Sequence, residues 1–213
     1  MGFLQDGLVG FALSSCCWLV RFASSPSYRR LLLGQLVPPP SLEIFLLYFQ
    51  SLHQVQFRDT DAAGIAHFSV FFNWMERTEH LMLRYFDWSV VKQVEQQTIS
   101  WPRVATSCDF RRPLKFEQVF GVELSVDKLG RSSATYQFRF LAPEDIPEAW
   151  STQQKNEFTL QGNLSAVSWF EQHQPLAEGS ITAVCCDVVH GQRPRPLDIP
   201  ATLRQHLESL QTA

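Results

Sequence analysis

Asp59-Thr60-Asp61-Ala62-Ala63-Gly64-Ile65-Ala66-His67-Phe68 sets two carboxylates two residues apart, then a glycine, then an aromatic run. A carboxylate beside a helix start can attack a carbonyl or activate water against it. The helix start adds unpaired backbone N–H donors and the positive end of the helix dipole, both suited to a developing oxyanion. The pattern therefore points to acyl transfer or hydrolysis. Taken singly, Asp61 also suits a turn or a cap, because aspartate is favoured at both. A calcium loop is excluded, since the later acidic ligands of an EF-hand are missing.

Two elements must position this motif. Glu43 to Phe57 is rich in strand formers and runs into the acidic turn. Phe68 to Phe86 repeats apolar residues at helical spacing, through Phe68, Phe71, Phe72, Met75, Met82 and Phe86. Val70, Trp74, Leu81 and Tyr85 fill much of the remaining surface, which predicts a helix buried nearly all round. Strands follow at Trp101 to Phe110, Val119 to Leu129 and Ala134 to Leu141, the last two joined by the Gly130-Arg131-Ser132 turn. Gly179 to Val189 adds another strand, and Phe158 to Phe170 is a weaker candidate. Pro200 to Leu210 closes the chain with a short amphipathic helix. The expected fold is α+β: an antiparallel sheet of about five strands wrapped around one long central helix. Such a sheet covers its helix on one side, so a homodimer or homotetramer is expected to cover the other.

Composition narrows the function classes. The 213 residues are 45% hydrophobic and 18% charged, which is globular rather than disordered. A net charge of −3 gives no basic field, so nucleic acid is not an expected partner. The five cysteines, Cys16, Cys17, Cys108, Cys185 and Cys186, form no C-x-x-C pair and no even framework. They read as buried thiols in a reducing compartment, and a cytoplasmic location follows. No cluster has zinc spacing, so no metal is expected. Residues 1–42 differ from the rest and read as a poorly ordered N-terminal extension ending near Pro38-Pro39-Pro40. Residues 7–37 are marginal for membrane contact. The domain spans 43–213, with an insertion near 143–175.

The run Val55 to Phe68, followed by Phe72-Asn73-Trp74-Met75-Glu76, resembles the 4-hydroxybenzoyl-CoA thioesterase family of hotdog-fold proteins. The resemblance covers roughly residues 45–141 and 176–210. It implies a hotdog fold, an oligomer with active sites at subunit interfaces, and hydrolysis of an acyl-CoA thioester. No cofactor is implied, since coenzyme A is part of the substrate. The family's catalytic carboxylate matches Asp61. Its oxyanion donor matches the backbone N–H of Phe68, and its turn glycine matches Gly64. The alternatives are a thioesterase acting on an acyl carrier protein and a non-catalytic acyl-CoA-binding module.

Further candidates surround the motif. His67 could bind substrate or orient a carboxylate, or it could be structural. Asn73, Glu76 and Glu79 lie on the long helix and are substrate-binding candidates. The plainer reading of the two glutamates is a solvated stripe paired with Arg77 or His80. Arg111 and Arg112, with Lys115, could meet the phosphates of coenzyme A. Arg58 and Arg131 are weaker candidates. Nothing near Cys108 would lower its pKa, so it is not an expected nucleophile.

Overall fold

The computed structural model describes residues 46–148, 150, 162–189 and 191–212. The expectations for residues 1–42, including the membrane segment and Cys16 and Cys17, lie outside the described residues. So does much of the region 149–161.

The main sheet is antiparallel and has six strands in the order β4-β8-β6-β5-β1-β7. These are β1 (Tyr48–Gln54), β4 (Arg103–Phe110), β5 (Val119–Leu129), β6 (Ser133–Leu141), β7 (Gly162–Ser165) and β8 (Ala177–Val184). Alternation along β5 and β6 explains their pairing. Phe120, Val122, Leu124 and Val126 share the inner face with Tyr136, Phe138 and Phe140, all fully buried. The late slip expected in β5 is a register shift between Val126 and Lys128. A second, small sheet has the order β10-β9-β3-β2. It combines β2 (Val91–Val94), β3 (Gln97–Ser100), β9 (Cys186–Asp187) and β10 (Arg195–Pro196). The β2–β3 hairpin has no clear sequence signal, because neither strand is more than four residues long.

Helix α1 (Val70–Tyr85) packs Phe71, Trp74, Met75, Met82 and Leu83 onto the inner face of the main sheet. Gly179 allows the close approach: a Cβ there would lie 2.5 Å from Met75 Sδ and 2.8 Å from the Ser107 carbonyl oxygen. The fold departs from expectation here. The sheet has six strands rather than about five, and it does not wrap a single long helix. The described residues carry two α-helices, and α1 is two-faced. Asn73, Glu76, Arg77, Arg84 and Tyr85 are at least partly exposed along it. The aromatic content suggested burial all round, yet the charged positions recur at helical spacing and keep one face in water. The second helix, α2 (Ala201–Ser209), buries Leu203 and Leu207. Its end is tied to β5 by the Val126 N–H donating to the Leu210 carbonyl at 2.8 Å.

Residues 142–176 separate two directly paired strands, β6 and β8, and within them residues 166–171 return over the outer face of the sheet. β7 pairs with β1 at the far edge. One buried carboxylate holds this segment down. Glu123, on the outer face of β5, accepts from Gln50 Nε2 (2.8 Å), Arg139 Nη2 (2.7 Å), Ser168 Oγ (2.7 Å) and the Trp169 N–H (2.8 Å). Both of its oxygens are therefore saturated.

Candidate active site

The acidic motif folds as a tight hairpin between β1 and α1. Thr60 and Ala66 form an antiparallel bridge, and the Asp61 N–H donates to the Ile65 carbonyl at 2.9 Å. The Gly64 N–H returns to the Asp61 carbonyl at 3.0 Å. Gly64 sits at φ 73°, a left-handed conformation that favours glycine. The Asp61 carboxylate closes the turn through Oδ1, which accepts from the Ala63 N–H at 2.8 Å. Asp61 itself is exposed. Asp59 is more enclosed. Its Oδ2 accepts from the Gln56 N–H at 2.9 Å, and its carbonyl accepts from the His67 N–H at 2.8 Å. Asp59 thus fixes both ends of the hairpin against each other.

Helix α1 begins at Val70, two residues beyond the expected start, because the Val70 N–H closes a turn onto the His67 carbonyl at 3.0 Å. Phe68 therefore lies in the turn that leads into the helix. Its backbone N–H donates to no acceptor among the described residues. Its ring is 59% exposed and lies against the His67 imidazole. His67 Nδ1 in turn meets Ser69 Oγ at 2.8 Å.

Beside the hairpin is a cleft of about 470 Å³, lined by Arg58, Asp59, Val70, Asn73, Trp74, Glu76, Arg77 and His80. Among the sequence candidates it gathers Asn73 and Glu76, together with Arg58 and Asp59. Asp61, Gly64, His67 and Phe68 are not among its lining residues. Glu79 is not either: it is fully buried beneath α1, where Arg103 Nη2 donates to its Oε2 at 2.5 Å. The glutamates assigned to one stripe thus have opposite surroundings, and the partner of Glu79 is Arg103 rather than Arg77 or His80. Burial pushes the Glu79 carboxyl up to about 7, against the pull of Arg103. His80 is pushed below its ordinary value, chiefly by burial and then by Arg103 and Arg84, with Glu76 opposing.

Arg111 and Arg112 are engaged elsewhere. Arg111 pairs with Glu178, and Arg112 pairs with Glu144 at 2.8 Å and Asp145 at 3.7 Å. Burial, reinforced by Asp109, raises the Cys108 thiol to about 12, in keeping with its dismissal as a nucleophile. Cys108, Cys185 and Cys186 are free thiols. Among the described residues, no group of histidine, cysteine and acidic side chains could hold a metal ion, and no helix is long and apolar enough to cross a membrane.

The family model of the Thioesterase-like superfamily matches residues 55–207, which takes in the hairpin, α1 and all but the ends of the sheet domain. The chain belongs to the Thioesterase-like superfamily. As a member of that superfamily it is a thioester hydrolase. Among curated proteins, this thioesterase-like chain is 32% identical over 100 residues to the 1,4-dihydroxy-2-naphthoyl-CoA hydrolase of Prochlorococcus marinus strain MIT 9303. That match covers 43% of the chain and 66% of the relative. Among solved structures, the 1,4-dihydroxy-2-naphthoyl-CoA thioesterase from Synechocystis superposes with a TM-score of 0.56 at 17% identity, over 76% of this chain and 97% of that one. A gentisyl-coenzyme A thioesterase does so with a TM-score of 0.52 at 21% identity, over 74% and 98%. These thioesterase-like structures share the hotdog fold with the chain, at identities that speak for the fold alone. The narrower 4-hydroxybenzoyl-CoA family is not what the family model names.

Sequence reasoning misses Arg103. It opens β4 and carries no motif, and only the fold brings it 24 positions back along the chain to Glu79.

Proposed function

We propose that the chain hydrolyses an acyl-CoA thioester to a free acid and coenzyme A, with Asp61 as the catalytic carboxylate and the Phe68 backbone N–H as an oxyanion donor. The observation that carries this reading is the hairpin. It presents an exposed Asp61 carboxylate, and the turn that follows it into α1 presents a Phe68 N–H with no acceptor among the described residues. Asp61 keeps Oδ2 clear of its own turn, since only Oδ1 serves Ala63. As a nucleophile, Asp61 adds to the thioester carbonyl and expels the thiolate of coenzyme A, leaving a mixed anhydride that water then cleaves. As a general base, it takes a proton from water, the resulting hydroxide adds to the carbonyl, and the thiolate leaves with a proton. In both routes the oxyanion gains from the Phe68 N–H, an interaction worth about 3 kcal/mol in the transition state.

The named relatives act on hydroxylated aromatic acyl-CoA thioesters, and the cleft agrees with a polar acyl group: six of its eight lining residues are polar or charged. We infer an aromatic acyl-CoA over a fatty one, within the range of the 4-hydroxybenzoyl-CoA thioesterase family. Asp61 and Phe68 both face solvent in the single chain, so a second copy is needed to enclose the reacting carbonyl. A homodimer or homotetramer supplies it.

Asp61→Asn in the full chain, assayed against aromatic and straight-chain acyl-CoAs, tests the reading. Turnover should fall by at least about a hundredfold while coenzyme A thioesters still bind. Unchanged turnover would remove Asp61 from the mechanism.

A further inference from the structure

Beneath the exposed face of α1, a buried ion pair reaches the cleft through a single side chain. Arg103 is the first residue of β4, and a register shift between Arg103 and Ala105 breaks the ladder with β8 at that point. Such irregularities re-aim side chains. Here the guanidinium turns toward α1, with Nη1 donating to the Trp101 carbonyl at 2.7 Å. Arg103 Nη2 then stands at a three-way junction. It meets the buried Glu79 Oε2 at 2.5 Å, His80 Nε2 at 3.4 Å and Glu76 Oε1 at 3.7 Å. His80 and Glu76 are themselves 3.7 Å apart, and both line the cleft. Left free, Arg103 would be drawn out toward the solvated Glu76 carboxylate. Glu79, with no exposed surface, holds it in.

We propose that Glu79 and Arg103 are positioning residues for the cleft: the buried carboxylate fixes the guanidinium, and the guanidinium fixes His80 and Glu76 on the wall that receives the acyl-CoA. This rests on the reading of the cleft as a thioester site. It differs from a role for Glu79 in touching substrate, which its burial forbids. It also differs from a purely structural pair. Replacing a buried ion pair by apolar side chains of similar volume is often neutral or stabilising, so a structural pair is dispensable once both partners go. A positioning pair is not.

The experiment uses the full chain and two thioether analogues that cannot be hydrolysed, S-phenacyl-CoA and S-(2-oxoundecyl)-CoA. Affinities are measured by calorimetry at pH 8, where Glu79 is ionised, for wild type, Glu79→Gln, Arg103→Met, Arg103→Lys and the double variant Glu79→Met with Arg103→Met, with melting recorded for each. The dissociation constant of the tighter analogue should rise about tenfold in Glu79→Gln and in Arg103→Met, and by the same factor rather than its square in the double variant. Arg103→Lys should recover part of the loss. The double variant should melt no lower than either single variant. Wild-type affinity in a folded double variant would overturn the proposal, as would losses that multiply. Failure of wild type to bind either analogue would instead overturn the underlying reading of the cleft, and the proposal with it. Arg103 is only partly buried, so Arg103→Met and Arg103→Lys keep the test informative if Glu79→Gln does not fold.

Discussion

Single residues set how the hairpin and the helix respond to substitution and pH. Gly64 sits at φ 73°, and nothing lies within 4 Å of the place a Cβ would take, so only its backbone resists replacement. Gly64→Ala should cost about 1 kcal/mol in chemical denaturation and lower turnover by shifting Asp61. Two buried titratable groups act in opposite directions. His53 Nε2 meets Thr78 Oγ1 at 3.0 Å and Ser51 Oγ at 3.1 Å, and its imidazole is pushed down to about 3 by burial and then by Arg77. The unfolded chain takes up this proton below 6.5 while the folded one refuses it, so stability falls as pH drops from 6.5 toward about 3. Glu79 is raised from 4.5 to about 7, so its contribution is complete below 4.5 and is lost as pH rises through about 7. The two slopes oppose each other between 4.5 and 6.5. Glu79→Gln should therefore uncover the His53 slope, approaching about 1.4 kcal/mol per pH unit in melts across that window. An unchanged profile would contradict the Glu79 assignment, and a flat profile in the variant would contradict that of His53.

Elements decide which parts of the chain depend on one another. The 166–171 segment lies on the outer sheet face through Glu123, whose four donors come from β1, β6 and the segment itself. Glu123→Gln swaps one acceptor oxygen for a donor amide and leaves Arg139 without its charge partner. It should cost about 3 kcal/mol in urea unfolding and make the segment exchange amide protons faster, while β4 and β8 keep their protection. Much of this scale is legible in the sequence. β4, β5, β6, β8 and α2 are readable because alternation and apolar spacing survive in any context. Apolar periodicity places the α1 start two residues early, because the His67–Val70 turn that sets it depends on the hairpin. The β2–β3 hairpin escapes sequence reading because two four-residue strands carry too little pattern.

At the scale of the whole molecule, β4 is an edge strand of the six-stranded sheet with no second neighbour among the described residues, and its residues are all at least partly exposed, Val104 at 63% and Phe110 at 45%. An edge this long is a ready template for pairing with another chain. Light scattering on the full chain should give a dimer or tetramer, and Thr106→Pro on this edge should shift it toward monomer and reduce turnover. A monomer with full activity would count against an enclosed interface site. The local sequence determined the chemistry-bearing hairpin and the strands that hold it, because turn glycines, carboxylates and alternation act over a few residues. Which acids line the cleft and which are buried was decided only by the tertiary structure. Asp59 lines the cleft, Asp61 stays outside it, and Glu79 is buried against Arg103 while Glu76, three residues earlier on the same helix, meets water. Burial depends on what the sheet brings to each face of α1, and no spacing along the chain encodes that.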